Sequence, residues 1–182
     1  AGSQPCVIDI AGARMAFTVC EDLWEPEPAR QAKEAGAHLL VNINASPFHM
    51  RKLQERQELL QQRSREGGFP VVYVNLVGGQ DELVFDGGSM AASQGELNCL
   101  IPQFQEGLFP LDIEIAEHGS CEIPRQAMAE TLDLEAQVYE ALVMGVRDYV
   151  EKNRFKGVVL GLSGGIDSAL SLAIAADALG SA

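Results

Sequence analysis

Two apolar runs rich in β-branched residues, HLLVNINA at 38–45 and PVVYVNLV at 70–77, flank HMRKLQERQELLQQRSRE, where Leu53, Leu59 and Leu60 give a modest helical stripe. Strand, helix, strand in that order builds α/β units, and the rest of the chain repeats the alternation. Ser46-Pro47 resembles the start of this helix, with Pro at its first position, and Gly67-Gly68 ends it. Upstream, 6–10 and 15–20 read as strands joined by Ala11-Gly12-Ala13, and PARQAKEAGAH as a short helix stopped by Gly36. Downstream, strands are expected at 83–85, 89–92 and 111–115. The pattern weakens over 117–130, which predicts a linker. Helical spacing returns through Leu134, Val138, Leu142 and Val146, and the strand GVVLGL, the turn SGGIDS and the helix SALSLAIAADALG follow.

Composition narrows the function classes. With 47% hydrophobic residues the 182-residue chain can build a sizeable core, and its net charge of −13 with no basic cluster argues against a nucleic-acid partner. The longest apolar stretches, 157–162 and 169–179, are too short or interrupted to cross a bilayer. AGSQPCVIDIAG lacks the regions of a signal peptide, so a cytoplasmic location is expected. Cys6, Cys20, Cys99 and Cys121 form no CxxC pair and are expected to be free thiols. His38, His49 and His118 lack metal-site spacing, and Asp81, Glu82 and Asp86 read as solvated turn carboxylates.

GLSGGIDSAL places glycines between a strand and a helix, where unhindered N–H groups at the positive end of a helix can hold an oxyanion. Ser163 and Ser168 can add hydroxyl donors, whereas Asp167 is wrongly charged against a phosphate unless a magnesium ion lies between them. The plainer alternative is a strand-to-helix turn capped by Ser163 or Asp167. Cys20 poses a similar choice: it ends RMAFTVC at a bend and is either a packed core thiol or a nucleophile presented to a pocket.

SGGIDS resembles the SGGxDS loop of the ATP pyrophosphatase family, and VCEDLWEP is similar to the cysteine elbow of the nitrilase, or carbon–nitrogen hydrolase, superfamily. NINASPFHMRK and VNLVGGQDELVFDGGS look like further blocks of that second family, and the two together follow the order of the glutamine-dependent NAD synthetase family. The resemblance implies an α/β fold: the C-terminal half of a nitrilase-like α-β-β-α sandwich, then the first helix-strand-helix of an adenine nucleotide alpha hydrolase-like, Rossmann-like domain. The expected division is a glutaminase part at 1–116, a linker at 117–131 and the start of an ATP-binding domain at 132–182.

By position, the resemblance makes Cys20 the nucleophile that frees ammonia from glutamine, with the Glu21 backbone N–H on the oxyanion and Ser46 and Lys52 on the glutamine. It assigns Gly161, Leu162, Ser163, Gly164, Gly165, Ile166, Asp167 and Ser168 to ATP, Asp167 also to magnesium, and deamido-NAD as the amide acceptor in a homo-oligomeric ligase. The family's glutamate and lysine partners lie upstream of the elbow, and residues 1–19 do not hold them, so this chain alone is expected not to turn over glutamine. The competing expectations are a stand-alone nitrilase-type amidase and a noncatalytic scaffold.

Overall fold

A computed structural model describes residues 4–180. The chain enters through a hairpin in which β1 (Cys6–Ile10) and β2 (Ala13–Val19) pair antiparallel, Cys6 opposite Phe17 and Ile10 opposite Ala13. Its turn residues, Ala11 and Gly12, both have positive φ (50° and 88°), the primed geometry whose twist matches paired strands. A 3-10 turn (Cys20–Leu23) leads to α1 (Pro26–Glu34), and β3 (Leu39–Asn44), α2 (Lys52–Gly67) and β4 (Val71–Asn75) follow. Each crossover carries a helix, so β2, β3 and β4 lie parallel, with Thr18 beside Asn42 and Asn42 beside Tyr73.

The hairpin of β5 (Val77–Gln80) and β6 (Leu83–Asp86) leaves the sheet, and β7 (Met90–Ser93) and β8 (Glu96–Leu100) rejoin it antiparallel. The six strands run in the order β1-β2-β3-β4-β7-β8. One face buries Ala16, Leu40, Val71 and Tyr73 against Ala29 and Ala32 of α1 and Leu53 and Leu60 of α2. The alternate residues, Ala13, Leu39, Ala91 and Cys99, form the other face and are covered in part by Cys121 and Ile123. The rest of that face is open: Val19, Ile43, Val74 and Leu76 are all exposed.

Beyond the two-residue strands β9 (Glu114–Ile115) and β10 (Cys121–Glu122), α3 (Leu134–Lys152) is capped by Asp133, whose carboxylate accepts from the Ala136 N–H. It packs on β5, where Gly79 admits the helix: a Cβ there would lie 3.0 Å from the Asp148 Cβ. The Gly79 N–H donates to Asp148 Oδ2 (2.6 Å), and Lys152 Nζ donates to the Gly79 carbonyl (2.5 Å). The last helix, α4 (Ile166–Leu179), lies on α3 through Val143, Ile174 and Ala178.

Three readings of the sequence change. The helix expected at Ser46-Pro47 begins at Lys52, because the Ser46 backbone is held sideways by the Asn75 side chain, its N–H donating to Oδ1 and its carbonyl accepting from Nδ2. Residues 157–162 form no strand: among the described residues they have no ladder partner, and a lone strand leaves its backbone groups unpaired. The strand expected at 111–115 shrinks to β9, paired with β10. Within the weakly patterned 117–130, Cys121 and Ile123 are buried, and Gln126 and Ala129 N–H groups bond to Asn98 and Leu100 carbonyls along β8.

Candidate active site

The carboxyl ends of parallel β2, β3 and β4 converge, the usual place for a site in an open α/β sheet. Cys20 stands immediately after β2 with φ +50° and is half-buried with a free thiol. A left-handed conformation at a residue bearing Cβ costs about 1–3 kcal/mol and persists only where its surroundings hold it. Here they do. The Val19 N–H donates to Asp22 Oδ2 (2.9 Å), the Trp24 N–H to the Glu21 carbonyl (2.9 Å), and Arg63 of α2 bonds to the carbonyls of Leu23 (2.9 Å) and Trp24 (2.7 Å). The Glu21 side chain points to solvent, and the acidic pair that follows the thiol serves the turn through Asp22.

Ser46 follows β3 and is buried at 8% exposure, while Lys52 opens α2. The Lys52 ammonium lies 3.8 Å from the centre of the Trp24 ring and 3.0 Å from Glu55 Oε2, so the first turn of α2 sits against the elbow. Trp24 packs as the face of this cation–π contact. Thus the structure brings Cys20, Glu21, Ser46 and Lys52 to one end of one sheet.

Behind them lies a buried polar cluster that the sequence did not disclose. Arg56 Nη1 donates to Asp86 Oδ1 (2.8 Å), and the side chains are 0% and 1% exposed. Arg56 Nη2 reaches the Ser46 carbonyl (3.0 Å), Ser46 Oγ (3.1 Å) and the Pro47 carbonyl (3.0 Å). Gln103 Nε2 donates to the second Asp86 oxygen (2.9 Å). The reading of Asp86 as a solvated carboxylate is therefore wrong: β6 carries it inward to pair with Arg56. The only signal was the helical spacing of Leu53, Arg56, Leu60 and Arg63, which puts both arginines on the buried stripe of α2. Tyr73 completes the cluster; burial pushes its phenol up, and its Oη has no hydrogen-bond partner among the described residues.

His38, His118 and the remaining thiols stay outside the site, whereas His49 lies in the loop before α2, its carbonyl accepting from the Lys52 N–H (3.0 Å). His38 Nδ1 accepts from the Arg14 N–H, and His118 bonds to Ser120. Cys99 and Cys121 are buried, and desolvation raises both thiols. A hollow of about 790 Å³ lies on the far face, lined mainly by apolar groups such as Ile43, Val74 and Phe109, and does not include Cys20.

The glycine turn is a separate feature. Gly161, Leu162, Ser163, Gly164, Gly165, Ile166 and Asp167 are exposed, and Ser168 is half-buried. Gly164 has φ +88° with nothing within 4 Å of a Cβ position, so the turn needs the residue for its conformation rather than for space. Neither Ser163 nor Asp167 caps α4; the N-cap is Gly165, and Ser163 and Ser168 hydroxyls bond to each other (3.1 Å). The first N–H groups of α4 are thereby left to other acceptors. Among the described residues no group of three or more His, Cys, Asp or Glu could hold a metal ion. Asp167 offers one carboxylate beside the turn, a donor set that fits magnesium when phosphate and water oxygens fill its other positions. Among the described residues no helix is long and apolar enough to cross a membrane.

A strained, tethered cysteine after a parallel strand, on half of a sandwich with helices on one face, defines the class. Residues 1–122 match the carbon-nitrogen hydrolase family model, and the chain belongs to that family. Residues 138–182 match the NAD synthase model, at the start of a Rossmann-like ATP-binding domain. Among curated proteins the chain is similar to the glutamine-dependent NAD(+) synthetase of Acinetobacter baylyi, 41% identical over 98% of this chain and 33% of the relative. Among solved structures it resembles the glutamine-dependent NAD+ synthetase of Acinetobacter baumannii in complex with ADP (TM-score 0.89, 39% identity, 98% of this chain and 34% of that one). An amidase of the nitrilase superfamily from Nesterenkonia AN1 matches 56% of this chain and 38% of its own (TM-score 0.52, 28% identity). The chain spans about a third of the length of the NAD synthetases it matches.

Proposed function

We propose that this chain carries the ammonia-releasing part, and the opening of the ATP-binding part, of a glutamine-dependent NAD synthetase. In the whole enzyme, where the base and acid partners expected upstream of the elbow take the thiol proton and pass it to the leaving nitrogen, the Cys20 sulfur attacks the carboxamide carbon of glutamine, the Glu21 N–H donates to the oxyanion, and ammonia leaves as a γ-glutamyl thioester forms; this chain alone is expected not to complete that turnover. Water then releases glutamate and frees the thiol. Ser46 and Lys52 grip the glutamine. At the second site the N–H groups of 161–168 hold the phosphates of ATP, and Asp167 would hold a magnesium ion that offsets their charge. ATP there adenylylates the nicotinate carboxylate of deamido-NAD, releasing pyrophosphate, and ammonia displaces AMP to give NAD. Divisions at 1–116, 117–131 and 132–182, a homo-oligomeric assembly and a cytoplasmic location belong to the same proposal.

The observation that carries it is the forced left-handed backbone at a half-buried Cys20, strain that a merely packed thiol does not require. The order of the two family matches along the chain supports the pairing of chemistries and disfavours an amidase alone. The test is saturable alkylation by a glutamine-shaped chloroketone read by intact mass, with iodoacetamide as an undirected control. One adduct is expected on Cys20, absent in Cys20→Ala and slowed by free glutamine. Equal labelling of the exposed Cys6, or no protection by glutamine, would refute the glutamine site.

A further inference from the structure

Two arginines two turns apart on α2 each grip one of the loops that form the candidate site. We infer that Arg56 and Arg63 are positioning residues that set Cys20 and Ser46 in register, an inference that rests on the glutamine reading above. Arg63 is 4% exposed and donates Nε and Nη2 to the Leu23 and Trp24 carbonyls, the last acceptors of the turn that begins at Cys20. Arg56 is 1% exposed and spends Nη2 on Ser46 and Pro47, the loop after β3. Seven residues of helix separate the two heads, a rigid spacing of ~10 Å at 1.5 Å per residue. Lys52, on the same helix, closes the arrangement by resting on Trp24 at 3.8 Å.

The bonds have a directional consequence. A serine hydroxyl has one hydrogen to donate, and Arg56 occupies a lone pair of Ser46 Oγ, so the hydrogen is turned away from the guanidinium. Asp86 holds the other edge of Arg56, which keeps the guanidinium from swinging. A purely structural role is served better by apolar residues, since buried charges cost desolvation that hydrocarbon does not. Beside their carboxylate partners Asp86 and Glu66, these two arginines direct donors to the carbonyls of the loops that follow β2 and β3.

The experiment measures alkylation of this chain by the glutamine-shaped chloroketone, in which the Cys20 sulfur bonds to the methylene carbon as chloride leaves. The saturation constant and the limiting rate are read separately, beside the iodoacetamide rate and the Trp24 fluorescence melt. Arg56→Lys is expected to raise the saturation constant about tenfold, and Arg63→Lys to lower the limiting rate about tenfold, because small misplacements of reacting groups are costly. Iodoacetamide rates stay within about twofold, since that reagent needs no alignment. Ser46→Ala added to Arg56→Lys brings no further loss, as expected when one residue acts through the other. Saturable labelling of the parent with both constants unchanged in folded arginine variants overturns this inference alone. Where those variants lose the cooperative melt, Asp86→Asn decides: an unaltered saturation constant in the folded variant overturns it. Absence of chloroketone labelling at an iodoacetamide-reactive Cys20 in the parent overturns the glutamine reading and this inference with it.

Discussion

Removing the Asp86 carboxylate strands a guanidinium where water does not reach. The Arg56 and Asp86 side chains are 0% and 1% exposed, with Nη1 and Oδ1 2.8 Å apart. Asp86→Ala leaves Arg56 with only carbonyl and hydroxyl acceptors and takes the partner of Gln103 Nε2 as well. Breaking a buried pair from one side costs about 3–5 kcal/mol, a large share of the roughly 5–15 kcal/mol that holds a domain together. With a urea slope of about 2 kcal/mol per molar, that cost moves the midpoint down by about 2 M. The chain has one tryptophan, and Trp24 sits at the elbow beside Lys52 and Arg63, so its fluorescence reports this half of the molecule. The double variant Arg56→Met/Asp86→Leu, which leaves neither charge behind, is expected to recover most of the loss. A shift below about 0.5 M for Asp86→Ala, or a double variant whose loss is the sum of the singles, would refute the assignment of a desolvated, coupled pair.

Further outcomes follow from individual contacts. Cys20→Gly relieves the φ of +50° and is expected to hold or raise the urea midpoint, whereas Cys20→Val loses about 2 kcal/mol; the reverse order would show that the elbow is unstrained. Gly79→Ala pushes a methyl to within 3.0 Å of the Asp148 Cβ and is expected to cost about 1–3 kcal/mol, read as faster proteolysis in 154–165; an unchanged digest would contradict the close packing of β5 on α3. Cys99 and Cys121 have thiols raised by burial, so a thiol reagent at neutral pH is expected to modify Cys6 and Cys20 first and these two only on unfolding. A folded pKa above the unfolded one contributes stability below an unfolded thiol pKa of about 8.5 and loses it as pH rises through the folded value, so the midpoint falls in that window; a rise there would contradict the sign. The exposed Val19, Ile43, Val74 and Leu76 predict self-association at tens of micromolar, relieved by Ile43→Glu with Val74→Glu and measured by sedimentation; a monodisperse parent would count against that reading.

Much of the element order could be read from periodicity. LLVNIN and VVYVN became β3 and β4, Gly36 and Gly68 stopped helices in left-handed geometry, and the stripe of Leu134, Val138, Leu142 and Val146 became α3. Three of the readings that failed share one cause. The Ser46-Pro47 start, the 157–162 strand and the solvated Asp86 were each judged from neighbours in sequence. Their outcomes were set by Asn75, by the want of a pairing strand among the described residues, and by Arg56.

The sequence alone determined which segments become strands and helices, and placed Cys20 and the glycine turn at the ends of apolar runs, because backbone preferences and side-chain periodicity act within a few residues. Only the tertiary structure decided that α2 turns two arginines inward, that Asp86 meets one of them, and that Cys20 bears a left-handed backbone. Charge pairing and strain depend on residues tens of positions apart arriving within about 3 Å of one another, and no local pattern encodes that meeting.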